Sequence, residues 1–142
     1  MNVIDASVWI SGLRAGEIHH RATLDWAQAW TSRCGAFSVL AHFPADVSGA
    51  LKRQELNIGD LRLVLSEILD GPAISIHPIT VALGKQAASI AIETGIRGSD
   101  AIYIALASQL HFPLVTWDRE QLERGREFAD IMTPVQAMER LR

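Results

Sequence analysis
The stretch Ala101-Ile102-Tyr103-Ile104-Ala105-Leu106-Ala107 is apolar on nearly every side of a helix, and this constrains the fold more than any other segment. A helix without a polar face must be covered all round by other elements. The rest of the chain supplies them in alternation. Val3-Ile4-Asp5, Phe37-Ser38-Val39-Leu40, Ile74 to Ile76, Pro113-Leu114-Val115-Thr116 and Ala129-Asp130-Ile131 read as short strands. Between them lie helical periods. Ile18, Ala22, Trp26, Ala29 and Trp30 mark a helix over residues 17–32, and Pro44 opens another that runs to about Gln54. Leu61, Val64, Leu65, Ile68 and Leu69 form a third, expected to end at a left-handed Gly71 before the breaker Pro72. Thr80 caps a helix ending near Gly95, the all-apolar helix follows from about Ser99, and Asp118 starts the next. Thr133-Pro134-Val135-Gln136 has the form of a capping box with Pro at its first helical position. Strands alternating with helices imply right-handed crossovers and a parallel sheet covered on both faces.

At 142 residues the chain is expected to be one domain spanning 1–142, without linker, repeat or low-complexity segment. With 49% apolar and 20% charged residues it is too hydrophobic to be disordered. No apolar run approaches the roughly 18–20 residues that cross a bilayer, and no basic stretch leads an apolar leader, so a soluble, cytoplasmic protein without a membrane partner is expected. Cys34 has no intramolecular partner and is expected to be a core thiol. The 13 Lys and Arg against 16 Asp and Glu give a net charge of −3, the wrong sign for holding nucleic acid on a broad basic face. A phosphate-bearing substrate would need a local device. The five histidines show no metal-ligand spacing, since the side chains of the adjacent His19 and His20 diverge on a helix, and none is assigned to zinc.

In an open parallel sheet, ligands gather outside the carboxyl ends of the strands. Here those junctions hold aspartates: Asp5 ends the first strand, Asp118 follows Thr116, Asp100 opens the buried helix, and Asp46 lies in the first turn of the helix begun by Pro44. Each taken alone is explained by capping, because Asp accepts backbone N–H bonds at helix starts and complements the dipole. Together they are harder to explain. Converging carboxylates cannot all stay ionised without a cation, and an all-oxygen set suits Mg²⁺ or Mn²⁺.

Four segments carry a resemblance that spans essentially the whole chain. They are Val3-Ile4-Asp5-Ala6-Ser7-Val8, Pro44-Ala45-Asp46-Val47-Ser48-Gly49-Ala50-Leu51-Lys52-Arg53, Ser99-Asp100-Ala101-Ile102-Tyr103-Ile104-Ala105-Leu106-Ala107 and Leu114-Val115-Thr116-Trp117-Asp118. In this order they resemble the PIN-domain ribonucleases, and more closely the VapC toxins of bacterial type II toxin–antitoxin systems. The resemblance implies an α/β PIN-like three-layer fold with a central, mostly parallel sheet flanked by helices. It implies a Mg²⁺- or Mn²⁺-dependent endoribonuclease with Asp5, Asp46, Asp100 and Asp118 as catalytic residues, of which Asp5, Asp100 and Asp118 hold the metal. It also implies an RNA substrate, a small antitoxin partner and a homodimer. This chain departs from the pattern at Asp46, where the family usually carries Glu, which reaches roughly 1.5 Å further. Ser7 and Thr116 either orient carboxylates or act as local caps. Arg97 and Arg119 either contact flanking phosphates or are surface charges, and Glu120 is either a further carboxylate or a solvated helix position. Trp9 and Trp117 flank the expected site. Apolar helix faces around Trp26, Trp30, Leu61 and Leu65 offer surfaces to a partner.

Two other Mg²⁺-dependent α/β classes fit less well. A phosphotransfer receiver needs an acidic pair after its first strand and a late lysine, yet only Lys52 and Lys85 exist; a dehalogenase-like phosphatase needs a second Asp where this chain has Ser7. The alternative of another kind is a catalytically weak PIN-like protein that binds RNA or a partner without cleaving.

Overall fold
The computed structural model describes residues 1–33 and 35–142; Cys34 and its expected core role lie outside the described residues. In chain order the elements are β1 (Asn2–Ile4), α1 (Ala6–Leu13), α2 (His20–Ser32), β2 (Phe37–Leu40), α3 (Phe43–Arg53), α4 (Ile58–Asp70) and β3 (Ile74–His77). There follow α5 (Val81–Thr94), α6 (Gly98–Leu110), β4 (Leu114–Val115), α7 (Arg119–Arg124), β5 (Ile131–Met132) and α8 (Pro134–Leu141). The strands form one sheet in the order β3-β2-β1-β4-β5, with every pairing parallel. This is the flanked parallel α/β architecture that the alternation of elements predicts.

The sheet is covered as its sequence requires. Val3, Ile4, Val39, Leu40, Leu114 and Val115 are buried, and α6 packs against β1, β2 and β4 with α5 on its outer side. Ala101, Tyr103, Ile104, Ala105, Leu106 and Ala107 of α6 are all buried, as expected of a helix without a polar face. The capping box at Thr133 and Gln136 is formed. Among the described residues no helix is long and apolar enough to cross a membrane.

Three sequence expectations are corrected. Residues 6–13, assigned no helix from the sequence, form α1; its apolar period is broken because one of its two buried positions is Ser11 rather than an apolar residue. Its hydroxyl is satisfied by Val8 O at 2.9 Å and lies 2.8 Å from Thr23 Oγ1, so the polar side chain is accommodated in the interior. Gly71 is not left-handed but extended, at φ −70° and ψ 135°. The following Pro72 drives it there, and glycine is required because a Cβ would lie 2.3 Å from Glu67 O. Finally, Trp26 is wholly buried against Phe37 and offers no surface to a partner; on α4 the strongly exposed apolar residues are Ile58, Leu63 and Leu69.

Candidate active site
The sheet order places a switch in winding direction at β1, whose neighbours are β2 and β4. Crevices form at such points outside the carboxyl ends of the strands. The register pairs Ile4 with Val115, so the next residues, Asp5 and Thr116, emerge side by side from the two strands.

Asp5 is buried at the start of α1, yet its side chain makes no capping bond to that helix. Capping therefore does not explain it. Instead, Oδ1 accepts from Ser7 Oγ at 2.5 Å and Oδ2 accepts from Thr116 Oγ1 at 2.8 Å. Burial pushes the carboxyl up to about 6, against those two hydrogen bonds and with help from the charges of Asp100 and Asp118. Asp100, in the first turn of α6, is also pushed up to about 6, first by burial and then by Asp118, with Glu120 and Asp46 adding repulsion and Arg97 opposing it.

One cleft of about 330 Å³ is lined by Asp5, Asp46, Asp100, Arg53, Arg97 and Tyr103, among others. Asp46, on α3, is half-exposed and lies 3.2 Å from His42 Nε2. Asp118 is not on the cleft wall; it caps α7 by accepting from Gln121 N at 2.8 Å, while its charge is felt by both Asp5 and Asp100. Ser7 and Thr116 both bond Asp5, and each also accepts a main-chain N–H, from Trp117 and Asp118 respectively. Arg97 lines the cleft, whereas the exposed Arg119 is turned along α7 onto Glu123 at 3.0 Å. Glu120 lies 3.7 Å from Arg124. Of the aromatics, Trp117 stacks on His19 with ring centroids 3.7 Å apart and donates to Thr23 Oγ1, while Trp9 packs edge-on to Phe43 beside a separate apolar groove.

Sequence reasoning missed Arg53 and Gln121. Arg53 has a signal in Gly49 four residues before it: the guanidinium Nη1 lies 3.3 Å from where a Cβ on that glycine would sit. Gln121 has none: three residues after the cap Asp118 a Gln side chain is expected to reach back to the cap's main-chain N–H, whereas here it bonds Thr116 and the Asp100 main-chain oxygen.

Among the described residues, no three His, Cys, Asp or Glu side chains converge closely enough to enclose an ion. The donor chemistry nevertheless suits a hard divalent cation. A fully buried carboxylate, two more acids acting on it and an all-oxygen set fit an ion that takes one or two carboxylates directly and retains water.

Fold and site together define a parallel α/β protein with an acidic cleft at its switch point. The chain belongs to the PIN domain family, whose model matches residues 3–127. No curated protein matches the sequence. Among solved structures, VapC20 of Mycobacterium tuberculosis, described as a toxin that cleaves the sarcin-ricin loop, is 17% identical with a TM-score of 0.69 over 84% of this chain and 91% of that one. FitAcB of Neisseria gonorrhoeae is 18% identical with a TM-score of 0.70, covering 94% of this chain and 98% of that one. A toxin–antitoxin complex from Klebsiella pneumoniae is 18% identical, with a TM-score of 0.68 and the same coverage. These likenesses concern the fold.

Proposed function
We propose that this chain is a Mg²⁺- or Mn²⁺-dependent endoribonuclease and the toxin of a toxin–antitoxin pair, with residues 1–142 acting as one unit in the cytoplasm. The observation that carries the reading is Asp5: a buried carboxylate, free of any capping role, held by two hydroxyls beside Asp100 and Asp118 at the switch point of a PIN-family sheet. Asp5, Asp100 and Asp118 would hold the metal, and Asp46 is the further carboxylate of the reaction. When bound, the ion supplies positive charge against the phosphodiester and lowers the pKa of a bound water. Ser7 and Thr116 fix the orientation of Asp5, so that its oxygens are presented without rotamer freedom. Arg97 and Arg53, on the cleft wall, are the groups suited to flanking phosphates. This local device resolves the mismatch between a net charge of −3 and a polyanionic substrate.

The antitoxin reading is supported by the toxin–antitoxin complexes among the structural neighbours. Here it is supported by the apolar groove lined by Val8, Trp9, Leu13, Leu24, Ala27 and Phe37. Exposed Val81 and Ile92 on α5 are compatible with a homodimer.

The test is cleavage of RNA by purified protein with Mn²⁺ and with EDTA, beside direct measurement of Mn²⁺ binding. Metal-dependent cleavage is expected. The binding-only alternative is favoured by the absence of three closely converging acids among the described residues, and it would show as Mn²⁺ or RNA binding without cleavage.

A further inference from the structure
Gln121 is fully buried on α7, and its side chain joins two acid-bearing segments, residues 116–118 after β4 and the start of α6. Its main-chain N–H donates to Asp118 Oδ1 at 2.8 Å. Its Oε1 lies 2.7 Å from Thr116 Oγ1, the hydroxyl that also lies 2.8 Å from Asp5 Oδ2. Its Nε2 donates to the main-chain oxygen of Asp100 at 3.1 Å. The helix that carries it is seated tightly. A Cβ on Gly125 would lie 2.6 Å from Ile131 Cδ1 and 2.7 Å from Ile104 Cδ1, so the end of α7 rests directly on β5 and α6.

The amide suits this position because its two ends have opposite polarity. Thr116 presents one hydroxyl proton, shared between Asp5 Oδ2 and Gln121 Oε1, and Asp100 presents a carbonyl that can only accept. A carboxylate here would set an oxygen against the Asp100 carbonyl, and an apolar side chain would remove the link between Thr116 and the Asp100 main-chain oxygen. We propose that Gln121 is the positioning residue of the site: it sets the spacing of Asp5, Asp100 and Asp118, and through that spacing the affinity for a divalent ion. The proposal rests on the metal-site reading above.

The test is the Mn²⁺ affinity of the RNA-free full chain, read from the electron paramagnetic resonance of free Mn²⁺. The proteins compared are wild type, Gln121→Met, Thr116→Val and the double variant. Each single substitution is expected to weaken binding about tenfold or more, as loss of groups that orient metal ligands does. The double variant is expected to be about as weak as Thr116→Val alone, because that substitution already cuts the bond through which Gln121 acts on Asp5. Ile68→Val, in the core under α4 and away from the cleft, is the control: a lower melting temperature in EDTA with unchanged Mn²⁺ affinity. Should Gln121→Met not fold, Gln121→Asn, which keeps the amide but is one methylene too short to reach both partners, carries the same expectation. Wild-type affinity in the Gln121 variant, or losses that simply multiply in the double, would overturn the proposal while leaving the metal reading intact. A wild-type protein that binds no Mn²⁺ would remove both.

Discussion

Thr116 Oγ1 lies 2.8 Å from Asp5 Oδ2, across 111 positions of sequence. The parallel pairing of β1 with β4 produces this contact, since the register Ile4 to Val115 brings the two following residues abreast. One hydroxyl thereby serves Asp5, Gln121 and the main-chain N–H of Asp118.

Thr116→Val keeps the shape of the side chain and deletes that hydroxyl. It leaves the Asp118 N–H without its acceptor, and removes the one proton that Asp5 Oδ2 and Gln121 Oε1 share. A loss of about 1–3 kcal/mol of stability is expected, measured by urea unfolding in EDTA. Thr116→Ser, which retains the hydroxyl, should recover most of it. A valine variant as stable as wild type would show that the network carries little energy.

Stability of the metal-free protein should fall as pH rises from about 4 to about 6. Asp5 and Asp100 are raised from 3.8 to about 6 in the folded chain, so the folded state holds protons that the unfolded state has already released. Their contribution is fully present below 3.8 and is lost as pH passes through about 6. For the buried Asp5 the loss is on the order of 3 kcal/mol, at about 1.4 kcal/mol per pH unit; the more exposed Asp100 adds less. Melting temperatures in EDTA across this range check the sign, and Mn²⁺ should restore stability above pH 6 by binding the ionised form. A melting temperature that climbs from pH 4 to 6 would contradict the placement of these acids.

The fold was legible because its signals are local. The all-apolar Ala101–Ala107 stretch predicts the buried helix, and Asp5 and Thr116 fall at strand ends where a parallel sheet opens. What stayed hidden depends on partners distant in sequence. Ser11 breaks the apolar period of α1, and only Thr23 and the Val8 carbonyl show why it can be buried. Gln121 reads as an ordinary helical position until Thr116 and Asp100 close around it. Sequence likewise could not tell that Asp118 caps a helix whereas Asp5 does not, because both sit at helix starts and only side-chain direction separates them.

Tyr103→Phe should leave stability unchanged within about 0.5 kcal/mol or raise it. The Tyr103 hydroxyl is buried on the cleft wall with no hydrogen-bond partner among the described residues, and burial pushes its pKa well above the ordinary value, with the charges of Asp5, Asp46 and Asp100 adding to the effect. An unbonded buried hydroxyl stabilises nothing, so its removal relieves a desolvation cost while the ring keeps its place 5.1 Å from His42. Calorimetric unfolding measures this, and a loss above about 1 kcal/mol would mean that the hydroxyl is bonded in solution.

Asp100→Asn separates a helix-start role from a metal role by moving two quantities in opposite directions. Asp100 sits in the first turn of α6, where the amide of Asn keeps the size of the side chain but removes the charge that complements the helix dipole. If the dipole were its whole purpose, the substitution would lower stability slightly and leave cleavage alone. The surroundings argue for the reverse: burial and the charges of Asp118, Glu120 and Asp46 all disfavour the ionised form, and only Arg97 favours it. Removing the charge should therefore raise the melting temperature of the metal-free protein at pH 7, while Mn²⁺ affinity falls and RNA cleavage drops by orders of magnitude. Thermal unfolding in EDTA, Mn²⁺ titration and a cleavage assay on the same preparation read all three. An Asn variant that still cleaves RNA with wild-type metal dependence would remove Asp100 from the site whatever its effect on stability.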